Sequence, residues 1–324
     1  MGRAQGEAFA PGIHEAVSFY RRLGAFIGED VDAVAARAQP YLESARGVVP
    51  ELVDEIEGLA EGAGISYQEA LMLNCFEEVW PAEACVSMVH GRFFLHAEQW
   101  YAGHSAIGVV EGRPIDGPAF LSPTCVGFLP AVGLSSAGFA QGIDSLATTD
   151  DRVGVPRVLV SRRALGAGDV DDAVAAACLE DRAGGYAHLL ATIGSSLVVE
   201  TTATRCEVLH DVTAHTNHVL APSLRSATEP PSRGSLARLA RAEELLDTSP
   251  PADLEDCARL LSDHVGGSQT ICLHEEGLDA SATVFGFACD LVTGRMIVSD
   301  GHPCSDRWQE FGLDMSMSAE HLVG

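Results

Sequence analysis

The sequence contains no lysine, so arginine supplies all 20 of its strongly basic side chains. They are outnumbered by 46 aspartate and glutamate residues, and the formal net charge is −26. A field of this sign repels nucleic-acid phosphates and anionic lipid, whereas it attracts amines and other cations. We therefore expect no nucleic-acid or membrane partner, whereas a cationic or neutral amine substrate would be attracted. The alternative is that the charge only keeps the protein soluble, and composition does not distinguish this role from attraction of a substrate.

Long apolar runs are also missing, since none approaches the roughly 18–20 residues that a membrane-spanning helix needs. The first residues, MGRAQGEAFAPGIHEAV, lack a basic segment followed by an apolar core, so we expect no signal peptide. The nine cysteines are scattered without CxxC spacing, which predicts neither a disulfide framework nor a zinc site. Most, including Cys178 and Cys289, lie in apolar surroundings typical of buried free thiols in a reducing cytoplasm.

Aromatic residues make up only 6% of the chain, so aliphatic side chains and alanine must form most of its core. Apolar residues at three- and four-residue spacing predict helices over 12–75, which Pro40 and Pro50 should interrupt. Alternating apolar residues then predict strands at 85–90, 93–98, 106–110, 118–122, 127–133 and 138–146.

Helices and strands alternate in blocks over the rest of the chain. The patterns predict helices at 156–165, 169–180, 235–247 and 252–263, and strands within 187–210, at 282–290 and at 294–300. This order lacks the strict βαβ alternation of a doubly wound sheet, and it favours an α+β fold with antiparallel sheets between helices. No linker interrupts the pattern, so we expect a single domain over residues 1–324.

Cys85 opens the stretch "CVSMVHGRFFLH", whose alternation predicts a hairpin that turns at His90–Gly91. A cysteine at this point can be a small buried hydrophobe. It can also be a nucleophile, because a cut before it would free an α-amino group with a reference pKa of about 7.7–8.0. That group can take the proton of the thiol within the same residue. The strand alone leaves both interpretations open.

The stretch "AHTNHVL" at 214–220 places an amide, Asn217, among polar residues after an apolar strand. An amide N–H that faces an oxyanion stabilises it by about 2.7–4 kcal/mol in comparable sites. The alternative is an asparagine in a turn. His215 and His218 supply only two possible metal ligands, so we predict no metal site.

Taken together, these stretches resemble the acyl-coenzyme A:6-aminopenicillanate acyltransferase family of autoproteolytic N-terminal-nucleophile (Ntn) hydrolases. The resemblance extends over nearly the whole chain and depends on the order and spacing of several pieces. These are "GRAQGEAFAPGI", "ARGVVPELVDEIEGLAEGAGISYQEALMLN", the strand at Cys85, "GLSSAGFAQGIDSL", "AHTNHVL", "TICLHEEG" and "SATVFGFACDL".

The resemblance implies a four-layer αββα sandwich of two antiparallel sheets between helical layers. It implies that Cys85 becomes the nucleophile when the Ala84–Cys85 bond is cut. The products would be an α chain, 1–84, and a β chain of 240 residues (324 − 84), 85–324, which stay associated. It also implies that Asn217 lines the oxyanion site and that no cofactor takes part.

The chain departs from the family pattern at four positions. Ala84 replaces a glycine before the cut, Tyr101 replaces an aspartate, and Leu273 replaces an arginine. The lost aspartate and the lost arginine have opposite charges. Replacing both avoids leaving one of them buried without its partner, which costs about 3–5 kcal/mol. Asp144 stands where asparagine is frequent. It would either return a carboxylate to the neighbourhood of the thiol or serve as a turn residue at a strand end.

These departures predict a less charged and more aromatic substrate pocket. Trp100, Tyr101 and Leu273 suit an apolar or aromatic group, and Glu98 suits a substrate ammonium. His218, next to Asn217, is predicted to belong to the same pocket.

The sequence thus predicts a cytoplasmic, self-cleaving enzyme that hydrolyses or transfers a small amide-linked acyl group through a thioester on Cys85. Its substrate would be an amine-containing small molecule or secondary metabolite. Two alternatives stay open. One is an uncleaved binding or assembly protein. The other is an uncleaved cysteine hydrolase in which Cys85 pairs with a histidine such as His218.

Overall fold

The N-terminal quarter of the protein is helical. The computed structural model describes residues 1–80 and 85–315. The helices of this part are α1 (Gly2–Ile27), α2 (Val31–Val48), α3 (Pro50–Ala63), α4 (Tyr67–Asn74) and α5 (Phe76–Val79).

Helix α1 begins about ten residues before the predicted start and runs through Pro11, and α2 runs through Pro40, which was predicted to interrupt it. Buried residues lie on both sides of each proline, Gly6 and Ile13 in α1 and Ala38 and Leu42 in α2, so tertiary packing keeps each helix continuous. Helices α1 and α3 approach so closely that a Cβ on Gly2 would lie 1.8 Å from a backbone oxygen of α3. Pro50 acts as predicted, because it begins α3, where its missing N–H is not needed.

The rest of the described chain forms two antiparallel sheets. The first sheet has strand order β10-β1-β2-β11-β12-β13, and the second has order β3-β4-β5-β6-β7-β8-β9. The strands are β1 (Cys85–His90), β2 (Phe93–Tyr101), β3 (Ile107–Gly112), β4 (Phe120–Cys125), β5 (Gly133–Ser135), β6 (Phe139–Ser145), β7 (Tyr186–Thr192), β8 (Ser195–Thr201), β9 (Cys206–His210), β10 (Ala214–His215), β11 (Ser281–Asp290), β12 (Arg295–Ser299) and β13 (Trp308–Gly312).

Helices cover the outer face of each sheet. Apolar side chains of β1 and β2 pack against α8 (Arg233–Thr248) and α9 (Leu254–Leu261). Those of β6, β7 and β8 pack against α6 (Arg157–Leu165) and α7 (Val170–Ala177). The inner faces meet in one core that includes Phe94, Phe287, Leu189 and Val198. The predicted α+β fold with two antiparallel sheets between helices is confirmed.

One strand prediction was wrong, and two strands were missed. Residues 127–132 form no strand, because Gly127 adopts a φ of 106° and Pro130 has no N–H for a ladder. The short β10 and the C-terminal β13 were not predicted. Each is a strand at the edge of the first sheet, where tertiary pairing rather than a long apolar alternation defines the element.

The prediction of a free thiol at Cys178 was also wrong, because Cys178 forms a disulfide with Cys206. The two residues lie 28 positions apart, at the end of α7 and the start of β9, and only the packing of that helix on the sheet brings them together. The other seven cysteines are free. Among the described helices, none is long and apolar enough to cross a membrane.

Candidate active site

Cys85 begins β1 and turns its side chain toward the second sheet. The alternation of the strand requires this, since Val86 and Met88 contact the outer helices while residues 85, 87 and 89 face inward. The thiol is buried, with the residue 4% exposed. Burial, followed by the charges of Glu98 and Asp144, raises the pKa of the Cys85 thiol well above its usual value. The thiol of the uncut chain is therefore neutral at neutral pH.

Three side chains continue from the thiol across the β1–β2 hairpin. Cys85 and Glu98 are cross-strand partners, and Sγ of Cys85 lies 3.5 Å from Oε1 of Glu98. Oε2 of Glu98 lies 3.0 Å from Nε2 of His96, and Nδ1 of His96 lies 2.9 Å from Oγ of Ser87. The hairpin therefore holds a carboxylate and an imidazole in line with the thiol.

Strand β6 approaches this group closely at Gly142. A Cβ there would lie 2.6 Å from Oγ of Ser87 and 3.0 Å from Nδ1 of His96. Only a glycine lets the second sheet come this near. Cys85, His96 and Glu98 also form a group of three possible metal ligands. The contacts that run from the thiol of Cys85 through Glu98 to His96 fit a proton relay.

Asn217 contacts the backbone of Cys85. Its Oδ1 accepts the N–H of Cys85 at 2.9 Å and a hydrogen bond from Nη2 of Arg238 at 2.7 Å. Its Nδ2 donates to the carbonyl oxygen of Ser145 at 3.1 Å. Two donors on the same oxygen define the orientation of the amide. Because an amide nitrogen carries two hydrogens, one is left for an oxyanion. No pattern in the sequence pointed to Arg238.

A cavity opens beside Cys85 and Glu98. Its wall is mostly apolar and comes from α4, α5 and both sheets, with side chains that include Leu73, Phe76, Trp100, Phe128, Val132 and Phe285. Three carboxyl groups also line it, from Glu77, Glu78 and Glu98. The described lining residues include no arginine and no histidine.

Glu77 was missed by sequence reasoning. Oγ of Ser145 donates to its Oε1 at 2.5 Å, whereas its Oε2 has no hydrogen-bond partner among the described residues. Burial raises the pKa of Glu77 to about 8. Glu78 instead pairs with Arg157, 3.2 Å away. Glu77 is thus a neutral carboxylic acid on the cavity wall at neutral pH.

Asp144 takes part in a buried ion group that links the two sheets, here named the inter-sheet triad: Asp144, Glu200 and His215. Nδ1 of His215 lies 3.3 Å from Asp144 and Nε2 lies 2.9 Å from Glu200. Burial lowers the pKa of His215, but its hydrogen bonds to the two carboxylates outweigh burial and raise that pKa to about 9. His215 is therefore an imidazolium between two carboxylates.

Two of the five residues predicted for the substrate pocket line the cavity, and three are not among its described lining residues. Glu98 and Trp100 line the cavity, whereas Tyr101, His218 and Leu273 are not among its described lining residues. Tyr101 packs against Phe19, Tyr20, Phe76 and Trp100, behind the wall. His218 bonds Oγ of Ser235 at 2.7 Å. Leu273 donates its N–H to Thr283. Ala84, on the other side of the predicted cut, lies outside the described residues.

The fold has known counterparts. A variant of conjugated bile acid hydrolase from Clostridium perfringens is similar with a TM-score of 0.50 and 11% identity, over 72% of this chain and 94% of the other. Penicillin V acylase from Agrobacterium tumefaciens has a TM-score of 0.46 and 11% identity, over 71% and 86%. The comparison with curated protein sequences found no match. The likeness to the first structure and the layer order assign the chain to the Ntn-hydrolase class of folds.

The sequence profile of the acyl-coenzyme A:6-aminopenicillanic acid acyl-transferase family matches residues 88–303, two thirds of the chain. The chain belongs to this family. Membership places it among the amidohydrolases and acyltransferases that act on non-peptide amide bonds. The match begins at Met88, three residues after Cys85, so it covers most of the site but not the cysteine itself.

Proposed function

We propose that the chain is a self-cleaving cysteine Ntn enzyme that hydrolyses or transfers a small amide-linked acyl group. The observation that carries this proposal is the setting of Cys85, whose backbone nitrogen is held by Asn217 and whose thiol lies beside an apolar cavity. A free N-terminal amine at the same position would keep a donor on Oδ1 of Asn217. Through this contact, Asn217 would orient the lone pair of the amine toward the thiol of Cys85.

Maturation requires the thiol of Cys85 to attack the carbonyl carbon of residue 84. The C–N bond breaks, the nitrogen takes a proton and becomes the new α-amine, and water hydrolyses the resulting thioester. Glu98 lies within reach of the thiol proton and would accept it, while His96 is hydrogen-bonded to the other carboxyl oxygen of Glu98. In this scheme Asp144, which was predicted to be catalytic, does not take a proton. It pairs with His215 in the inter-sheet triad, and its charge acts on the pKa of the thiol.

In the mature enzyme the α-amine takes the thiol proton, and the thiolate attacks the acyl carbonyl of the substrate. Asn217 and a backbone N–H bind the oxyanion. The amine of the substrate leaves with the proton, and the acyl group stays on Cys85 as a thioester. Water or an acceptor amine then releases it. Every step uses groups of the chain itself, so the proposal includes no cofactor.

The cavity favours a substrate with an apolar body and an ammonium group. Its wall is mostly apolar, and Glu77 and Glu98 are the acids that would face a cation. The net charge of −26 and the absence of lysine disfavour a coenzyme A ester, whose phosphates would need basic partners. We propose an amine-containing small molecule, such as a secondary metabolite, as the substrate.

The two chains would stay associated after the cut, within one domain over residues 1–324. Tyr20 and Phe76 of the α chain pack in the same core as β-chain residues, and Nε1 of Trp100 donates to the hydroxyl of Tyr20 at 2.7 Å. We also propose a cytoplasmic location, which the seven free cysteines support and which the Cys178–Cys206 disulfide opposes.

A second candidate is an uncleaved chain that serves in binding or assembly. The neutral, buried thiol of Cys85 favours it, because such a thiol is a weak nucleophile until a base activates it. An uncleaved hydrolase would be the third case, and its base would be Glu98 with His96 rather than His218.

Intact mass under denaturing conditions tests the proposal. We expect two fragments, of 84 and 240 residues, from the wild type and one species of 34.1 kDa from Cys85→Ala. Cys125→Ala is the matched control, because Cys125 is buried and lines the same cavity. It should be cut like the wild type. A single uncut wild-type species that still cleaves amides would support the uncleaved hydrolase, and cutting of Cys85→Ala would exclude self-processing by this thiol.

A further inference from the structure

Four metal-binding side chains converge on the far side of the first sheet. They come from three separate segments: His264 follows α9, Cys272 and His274 lie in the loop before β11, and Cys304 lies between β12 and β13. One ligand atom from each lies within 4.8 Å of every other. Sequence spacing did not predict this group, because zinc motifs are recognised by ligand pairs within one short segment.

The three distances from Nε2 of His274 match those of a tetrahedral shell. Nε2 of His264 lies 3.2 Å from Nε2 of His274, and Sγ of Cys272 and of Cys304 lie 3.5 and 3.2 Å from that same nitrogen. With Zn–N bonds of about 2.0–2.1 Å and Zn–S bonds of about 2.3 Å, a tetrahedron separates two nitrogens by about 3.3 Å and a nitrogen from a sulfur by about 3.5 Å.

Hydrogen bonding alone does not account for this arrangement. Three heavy atoms contact one ring nitrogen of His274, and that nitrogen carries either a single hydrogen or a single lone pair. At most one of the three contacts can be a good hydrogen bond. A cation at the centre would instead be coordinated by His274 and its three neighbours together.

We propose that His264, Cys272, His274 and Cys304 bind one Zn²⁺ in a closed, structural Cys2His2 site. Four protein ligands complete the tetrahedron and leave no position for a substrate, so the ion would not take part in the acyl chemistry. Both thiols lose their protons to solvent on binding, because thiolates are the ligands. His264 and His274 are exposed, which gives the ion a path from solvent.

The site would secure the loop that supports β2. Cys272 donates its N–H to the carbonyl of Asp263 at 2.9 Å, which ties the loop to the end of α9. The carbonyls of Thr270 and Ile271 accept hydrogen bonds from Nε2 of Gln99 at 3.0 and 2.9 Å. Gln99 adjoins Glu98. The metal would therefore stabilise the wall behind the candidate active site without contacting it.

Zinc content of the full-length chain tests the site. The purified protein is reduced, stripped with a chelator, incubated with Zn²⁺ and desalted, and its metal is measured by elemental analysis. We expect one zinc per chain in the wild type, with affinity reduced at least about 100-fold in His264→Ala and Cys304→Ser, since loss of even outer-shell partners costs 10–100-fold. Zn²⁺ should also raise the Tm of the wild type but not of these variants.

Cys85→Ala and His210→Ala are the controls, since the first removes the candidate nucleophile and the second an exposed histidine of β9. Both should bind zinc like the wild type. Circular dichroism establishes that each variant is folded. Wild type without zinc, equal binding by His264→Ala and Cys304→Ser, loss of zinc in Cys85→Ala, or a Cys272–Cys304 disulfide that forms in preference to zinc binding would each overturn the proposal.

Discussion

Two buried groups of ionisable side chains lie between the sheets, and they differ in how their charge is balanced. In the inter-sheet triad a protonated His215 is placed between Asp144 and Glu200. The second group, here named the cavity group, consists of Cys85, Glu77 and Glu98, and it faces a cavity whose described lining has no basic side chain. The triad holds its cation between two carboxylates, whereas His96, which contacts Glu98, is not among the described residues that line the cavity.

This difference separates a structural ion group from a reactive one. In the triad, His215 contacts both carboxylates and so links the sheets, and the backbone N–H groups of Leu220 and Ala221 also donate to Glu200. The cavity group would gain a positive charge either from a substrate ammonium or from the α-amine that cleavage creates at Cys85. Burial raises the pKa of Glu77 to about 8, and such perturbed groups are frequent at functional sites.

The largest expected effect comes from breaking the triad. His215→Gln in the Cys85→Ala background, where one intact chain unfolds, should lower the free energy of unfolding by about 3–5 kcal/mol, because two carboxylates are left buried without their cation. Denaturant titration measures it. His210→Gln, at an exposed strand position, should change the same quantity by no more than about 0.5 kcal/mol. Equal effects of the two variants would mean that the triad contributes little.

Substitutions in the cavity group should change the rates of self-cleavage and of thiol alkylation. We expect Glu98→Gln to slow self-cleavage about 10²–10⁴-fold, the range of a lost general base. The charge of Glu98 also raises the pKa of Cys85, so its removal should speed alkylation of the thiol at neutral pH. Mass spectrometry follows both rates. Cleavage and alkylation that change in the same direction would contradict the role of Glu98 as base.

The pH dependence of stability should report the triad. His215 has a pKa of about 9 in the folded chain and an ordinary value of 6.5 when unfolded. Its contribution is complete below about pH 6.5 and is lost as the pH rises through 9, a total of about 3 kcal/mol at 1.36 kcal/mol per pKa unit. Unfolding titrations of the Cys85→Ala chain from pH 6 to 10 should show this decline, and His215→Gln should flatten it.

The smallest effects are expected behind the cavity wall. Tyr101→Phe should change the substrate profile less than about threefold, because Tyr101 packs behind Trp100 and does not line the cavity. Trp100→Phe, which alters the lining itself, should change it more. A comparison of the two variants on a panel of aromatic and aliphatic amides measures the difference. A larger change for Tyr101→Phe would place that side chain in contact with the substrate.

The hairpin at Cys85 shows how much of the candidate site the alternation of apolar residues can predict. Its alternation predicted β1 and the turn, and the same alternation places His96 and Glu98 on the face of Cys85. Glu98 was already predicted to bind a substrate ammonium, and extending the argument across the hairpin would have placed both it and His96 beside the thiol. Glu77 and Arg238 could not have been placed in this way, because they reach the site from helices whose packing against the sheets follows no local rule.

The sequence by itself determined the family, the class of fold and the candidate nucleophile, because these depend on order, spacing and alternation along the chain. Only the tertiary structure decided which side chains meet. His215 was one half of a weak histidine pair in the sequence and is the cation of the inter-sheet triad in the fold. His264, Cys272, His274 and Cys304 looked unrelated. Their convergence depends on contacts between separate segments, which no local periodicity encodes.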